Sequence, residues 1–224
     1  MGSATYCRNE GSVVIVMPSN NRKIEVGWLA GRFPGRLGFL FPPNGWSIPP
    51  KWMKFACDNG AFSAYKNNTE WDENAFLMLL SKAKSYNPMW VAVPDVVADK
   101  DKTIEQWHQW AGRLSEFTLA FVVQDGMVAQ DVPKEAGVIF VGGTTSWKWR
   151  TAPKWCADFP RVHIGRVNTY RLLWMAHDAG AESCDGTGWF RGHPDQYEGM
   201  VRYLEESTVG TRPQSFFEFY NKEK

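Results

Sequence analysis

Two short stretches place carboxylates where a displacement reaction could use them. In Glu182-Ser-Cys-Asp-Gly-Thr-Gly-Trp189 an aspartate, Asp185, stands where a short apolar run breaks into a glycine turn. Lys54-Phe-Ala-Cys-Asp-Asn-Gly-Ala-Phe62 follows the same plan, ending on Asp58 and turning at Gly60. Two carboxylates on two strand ends imply one site, because a pair of acids can divide nucleophilic and proton-transfer duty between them. Asp before Gly is also an ordinary turn pair, so each residue keeps a purely conformational reading.

Bringing these residues together requires a scaffold, and the chain supplies alternating elements. Residues 12–17 (Ser-Val-Val-Ile-Val-Met) are a β-branched run closed by Pro18-Ser-Asn-Asn21, the pattern of a buried strand and its turn. Residues 28–52 are rich in Gly, Pro and aromatics; only Leu37-Gly-Phe-Leu-Phe41 resembles a strand, and the paired prolines exclude a long helix. Asp72 is placed to cap a helix over 73–85, and a second helix is expected over 102–114. Further strands are Trp90-Val-Ala-Val93, Thr118-Leu-Ala-Phe-Val-Val123, Gly137-Val-Ile-Phe-Val141 and Arg161-Val-His-Ile164. Each of the last three precedes a segment able to be helical, the clearest helices being 169–179 and 195–206. Alternation of this kind predicts a parallel sheet covered on both faces. About eight strands predict an α/β fold of the (β/α)8 TIM-barrel type, one domain over 1–224, irregular near 28–54. An open doubly wound sheet is the rival. Either arrangement gathers Asp58, Asp95, Gln124, Gly142, Gly143, Gly165, Arg166, Asn168 and Asp185 on the C-terminal face.

Composition narrows the partners. With a net charge of +1 the chain is no polycation, so nucleic-acid contact has to come from a local patch. Aromatics are 15%, including 12 Trp, enough to supply stacking faces as well as a core. Cys7, Cys57, Cys156 and Cys184 form no close pair, and His108, His163, His177 and His193 make no His-x-x-x-His, which argues against a structural zinc. Cys57 and Cys184 read as buried apolar residues of a reduced protein. The N-terminus has no apolar signal core or myristoylation pattern and no run reaches membrane-spanning length, so the expected location is the cytoplasm, the host's if the chain is viral.

Five of these pieces, in order over about 55–190, resemble the queuine/archaeosine tRNA-guanine transglycosylase family. Asp58-Asn-Gly-Ala-Phe-Ser63 is similar to its Asp-Ser-Gly-Gly-Phe-Gln signature and Val122-Val-Gln-Asp-Gly126 to its Val-Gln-Gly-Gly turn. Val141-Gly-Gly143 resembles its glycine pair, His163-Ile-Gly165 a later strand end, and Gly180-Ala-Glu-Ser-Cys-Asp185 its nucleophile strand. The family's Cys-x-Cys-x-x-Cys plus His zinc site does not follow Asp185, and there is no room for an appended RNA-binding domain. In both respects the chain looks more like the compact phage-type DNA transglycosylases that insert 7-deazaguanines.

The resemblance implies a nucleophile at Asp185 attacking C1′ and a general acid, then base, at Asp58. It implies no cofactor, DNA as partner with tRNA as the alternative, and a 7-deazaguanine base such as the 7-cyano compound. Burial and the Asp185 charge are expected to raise the Asp58 pKa. Base recognition falls to Asn59, Asp95, Gln124 and the Gly142 and Gly143 N–H groups, with Phe62 stacking and Ile164 opposite, next to Gly165. Alternatives stand beside these: Asp95 as turn former or cap, Gln124 as a solvated turn residue, Phe62 as core, and Arg166 as either phosphate ligand or carboxylate partner. Two segments mix cations with aromatics, Trp147-Lys-Trp-Arg150 and Trp189-Phe-Arg-Gly-His193. From them Lys148, Arg150, Trp189 and Arg191 join Arg166 as candidate nucleic-acid contacts, helix surface being the other reading for the first segment. A nucleic-acid N-glycoside hydrolase and an inert binding module are the competing functions.

Overall fold

Strands that are apolar on both faces need cover on both, and a parallel sheet rolled into a cylinder provides it. The computed structural model describes residues 14–19 and 24–210. Its strands are β1 (Ile15–Pro18), β2 (Gly38–Phe41), β3 (Lys54–Cys57), β4 (Val91–Ala92), β5 (Leu119–Val123), β6 (Val138–Val141), β7 (Val162–Ile164) and β8 (Ser183–Gly186). They lie in the order β1-β8-β7-β6-β5-β4-β3-β2, each parallel to its neighbours. The two outermost strands meet through isolated parallel bridges, Val16 with Leu37 and Ser19 with Leu40, and Val16 N–H donates to the Arg36 carbonyl at 2.8 Å. These contacts bring the sheet round to a nearly closed (β/α)8 barrel, not an open doubly wound sheet.

Around the barrel run α1 (Ile24–Arg32), α2 (Ala61–Asn67), α3 (Glu73–Ala83), α4 (Lys100–Trp110), α5 (Thr145–Asp158), α6 (Tyr170–Ala179), α7 (Gly188–Arg191) and α8 (Pro194–Thr208). Caps set several of their starts. The carboxylates of Asp72 and Asp99 accept from Ala75 N and Lys102 N at 2.9 and 3.0 Å, and Thr169 Oγ1 accepts from Leu172 N at 3.3 Å.

Strand parity divides the core. Ile15, Met17, Leu40, Ala56, Trp90, Ala92, Ala120, Val122 and Val138 fill the barrel with Phe140 against them, while Val16, Cys57, Val91, Val141, Ile164 and Cys184 pack outward with the helices. Cys57 and Cys184 are buried thiols outside any disulfide. The β7–β8 register sets His163 opposite Ser183 and Ile164 opposite Cys184.

Four sequence expectations need adjusting. Residues 28–32 belong to α1; only Val26, Leu29 and Ala30 of this helix are buried, and exposed Ile24 and Trp28 with Gly27 and Gly31 blur the periodicity. No helix follows β5, where Gly126 and Pro133 leave a single 3-10 turn at Ala129–Asp131. The helices expected over 73–85 and 102–114 both end in 3-10 turns, at Lys84–Tyr86 and Gly112–Leu114. Cys7, the first residues of the expected opening strand, part of its turn and the charged tail 221–224 lie outside the described residues. No helix among the described residues is long and apolar enough to cross a membrane.

Candidate active site

Parallel strands deliver their C-terminal ends to one rim, and a cavity of about 440 Å³ opens there. Ser19 follows β1, Pro43 and Asn44 follow β2, Asp58 to Gly60 follow β3 and Asp95 follows β4. Gln124, Gly142 with Gly143, Arg166 with Asn168, and Asp185 with Thr187 complete the ring from β5 to β8. Asp58 and Asp185, far apart in sequence, therefore line the same cavity.

The two carboxylates are held differently. Asp58 loses its water on burial and faces the charges of Asp185 and then Asp95; the N–H groups of Gly60 and Asn59 only partly compensate, and its pKa is pushed up to about 7. Asp185 is 7% exposed, and its Oδ1 meets two partners at 3.1 Å each, the Arg166 backbone N–H and His163 Nε2. Glycine at 165 makes room for this, since a Cβ there would lie 2.8 Å from Phe140 Cε1 and 3.4 Å from Asp185 Oδ1.

Asp95 is neither a solvated turn nor a helix cap. Asn59 Nδ2 donates to its Oδ1 and Gln124 Nε2 to its Oδ2, both at 2.7 Å. The polarity of both amides is fixed from behind. Asn59 Oδ1 accepts from Ala61 N at 2.8 Å, and its Nδ2 also donates to Val93 O at 2.8 Å. Gln124 Oε1 accepts from Ala98 N and Gly143 N at 3.0 and 3.2 Å. Burial raises the Asp95 pKa to about 6, against the opposing pull of Asn59, Gln124 and Arg166.

Several candidate binding residues change role. The Gly142 N–H donates to Val123 O at 3.1 Å and the Gly143 N–H to Gln124, so neither points an open donor into the cavity. Gln124 Nε2 carries two protons, and Asp95 takes one. Gly143 has φ of 65°, and a Cβ there would meet Asp125 Oδ2 at 2.6 Å and the Trp147 ring at 2.7 Å. Ile164 is fully buried on the outward face and is no wall of the cavity; inward-facing Leu40, Val122 and Phe140 are. Phe62 lines the cavity at 38% exposure, and the Arg166 guanidinium lies 4.5 Å from its ring centre.

Arg166 itself adopts a left-handed φ of 60° and donates through its guanidinium to the Gly143 carbonyl while lining the cavity, so the bond it makes is to a main-chain oxygen and not to a carboxylate. Of the other nucleic-acid candidates only Arg191, exposed beside Asn168 and Thr187, lines the cavity. Trp189 is 1% exposed and belongs to the core. Arg150 is exposed on α5 but away from the cavity lining. Lys148 is 1% exposed, donates to Gly165 O, and burial lowers its pKa to about 7. A phosphate cannot reach it. Amphipathic reasoning put Lys148 on the surface because the strand end it braces is distant in sequence.

Trp71 escaped the sequence reading, and His163 entered it only as part of the His163-Ile-Gly165 strand end, with no role of its own. Trp71 lines the cavity and donates from Nε1 to Asn59 O at 2.7 Å. His163 shares inward parity with Ser183 and Asp185, a signal that needs the strand register to be read. Among the described residues no group of three or more His, Cys, Asp and Glu side chains is placed to hold a metal ion. The chain matches no protein-family model and no curated protein.

Proposed function

We propose that this protein exchanges guanine in DNA for a 7-deazaguanine base by two displacements at C1′. The observation that carries the reading is the presence of Asp58 and Asp185 in one cavity, with Asp58 raised to about 7 by burial and its acidic neighbours. Asp185 attacks C1′ as the C1′–N9 electron pair leaves with guanine, and protonated Asp58 delivers its proton to the departing base. The incoming base then gives its own N9 proton to Asp58 and displaces Asp185, so the acid is regenerated and configuration is retained.

The binding groups suit a guanine-like edge. Asp95, whose oxygens each accept one clamping bond, has acceptor capacity left for N–H donors. The second Gln124 Nε2 proton suits a carbonyl oxygen, in place of the occupied glycine amides. A base stacking on the Arg166 side of Phe62 has to displace the guanidinium. The target nucleotide is flipped out of the duplex or presented single-stranded, with Arg191 at the mouth for its phosphate. DNA is preferred to tRNA because the sequence carries nothing like the family's Cys-rich zinc motif after Asp185.

Incubation of the protein with labelled guanine and either DNA or tRNA tests the proposal. Label entering DNA, with a covalent protein–DNA adduct lost in Asp185→Asn, is the expected result. Label entering only tRNA transfers the chemistry to the other substrate, and base loss without replacement replaces the transferase by a hydrolase.

A further inference from the structure

Beneath Asp185 lies a polar pair that the two displacements leave unused. His163 is fully buried, its ring centre 4.5 Å from that of Phe140 and 4.8 Å from that of Trp90. Its Nδ1 lies 2.8 Å from Ser183 Oγ and its Nε2 3.1 Å from Asp185 Oδ1. Ser, His and Asp in line have the composition of a hydrolase triad, yet Ser183 has no exposed surface and its hydroxyl reaches no substrate.

Proton counting runs in the other direction. An ionised carboxylate only accepts, so His163 Nε2 carries the proton toward Asp185, and in the neutral ring Nδ1 is an acceptor filled by the Ser183 hydroxyl. Asp185 Oδ1 thus accepts from His163 and from the Arg166 backbone N–H, while Oδ2 has no hydrogen-bond partner among the described residues. The charged groups facing Asp185 are Asp58 across the cavity, Lys148 from α5 and the Arg166 side chain. None of them supplies the Nε2 bond.

We propose that His163, its ring anchored at Nδ1 by Ser183, is a positioning residue that fixes Asp185 by Oδ1, leaves Oδ2 to bond C1′, and favours release of the sugar in the second displacement. The inference rests on the reading of Asp185 as nucleophile. When Oδ2 bonds C1′, Oδ1 becomes an ester carbonyl and loses charge, so the bonds from His163 and Arg166 weaken. When the incoming N9 takes C1′, the Oδ2–C1′ electron pair returns to the carboxylate and both bonds strengthen. Donors that gain strength as a leaving group forms lower that barrier.

Single-turnover reactions on DNA with wild type, His163→Leu, His163→Gln and Ser183→Ala test it, each variant first checked for a native melting transition. Loss of one charge-assisted hydrogen bond is expected to slow adduct resolution about tenfold in His163→Leu relative to guanine release, so that adduct accumulates. His163→Gln, which retains a donor at the Nε2 position, restores the wild-type ratio. Ser183→Ala removes the anchor at Nδ1, loosens the ring against Asp185 and shifts the ratio the same way; it decides the matter if His163→Leu does not fold. A folded His163→Leu with the wild-type ratio of steps overturns the proposal. If wild type forms no adduct, the transferase reading fails by itself, and substrate-free crystal structures judge His163. An Asp185 carboxylate turned in His163→Leu and held in His163→Gln then sustains the positioning role, and an unmoved one overturns it.

Discussion

At the scale of the residue, fixed hydrogen-bond polarity decides what each group can offer a ligand. Asn59 and Gln124 each spend their amide oxygen on backbone N–H groups and point nitrogen at Asp95. Neither can flip without orphaning a buried donor. Asp95→Asn would therefore set an NH2 group against one of these donors, and we expect kcat/KM to fall about 100-fold, read by steady-state base exchange. In the proposed exchange Asp58 acts first as an acid, so guanine release is expected to decline as pH rises through about 7, in a pH–rate profile of the first turnover. A profile flat to pH 9 would remove Asp58 from that role. The sequence revealed both aspartates because strand end, Asp and Gly sit side by side in it. It could not show that the Gly142 and Gly143 amides were already engaged, because their partners, Val123 and Gln124, belong to another strand end.

At the scale of the element, parity and approach distance decide which side chains face the cavity. Ile164 and Cys184 face the helices while His163, Ser183 and Asp185 face inward, so a single-residue slip would exchange core for site. Apolar strand runs are legible without register, whereas direction is not when both faces are buried; this is why Ile164 was read as a wall and His163 passed over. The helices were legible where one face is apolar and a cap precedes it, as at Asp72 and Thr169. They were missed where glycines interrupt, as in α1. At Gly165 the end of β7 runs close against the Phe140 ring. Gly165→Ala is expected to cost about 1–3 kcal/mol in denaturant unfolding by crowding Phe140, with a larger proportional loss of activity because Asp185 lies next to the intruding methyl. An activity loss no greater than the loss of folded protein would separate this loop from the chemistry.

At the scale of the whole molecule, burying ionisable groups for the site trades against stability. Asp58 and Asp95 have folded pKa values of about 7 and about 6, above the ordinary carboxylate value, so the folded state holds more protons than the unfolded one between about pH 4 and 7. Their contribution is fully present below that window and is lost as pH rises through it. Lys148, lowered to about 7, acts with opposite sign: stability limited by its burial is recovered as pH rises from about 7 toward the ordinary lysine value. Asp58→Asn, which imitates the protonated acid, is thus expected to stabilise the protein by on the order of 2 kcal/mol at pH 8 and to be neutral at pH 3.5, as measured by urea denaturation at the two pH values. Equal effects at both values would mean that Asp58 titrates normally.

Six joints of the cylinder are ladders of two to four paired residues; β3 meets β4 through the Cys57–Val91 pair, and β1 meets β2 through the isolated contacts of Val16 with Leu37 and Ser19 with Leu40. A wall breathes first where it is lightly sewn, and deuterium uptake at the Val16 amide should outpace that of the β5 amides, whose ladder with β6 has four pairs. Because Ser19 and Leu40 also border the cavity, the same parting widens its doorway on the β1–β2 side, the side from which a bulky nucleotide could be admitted without unravelling the rest of the stave.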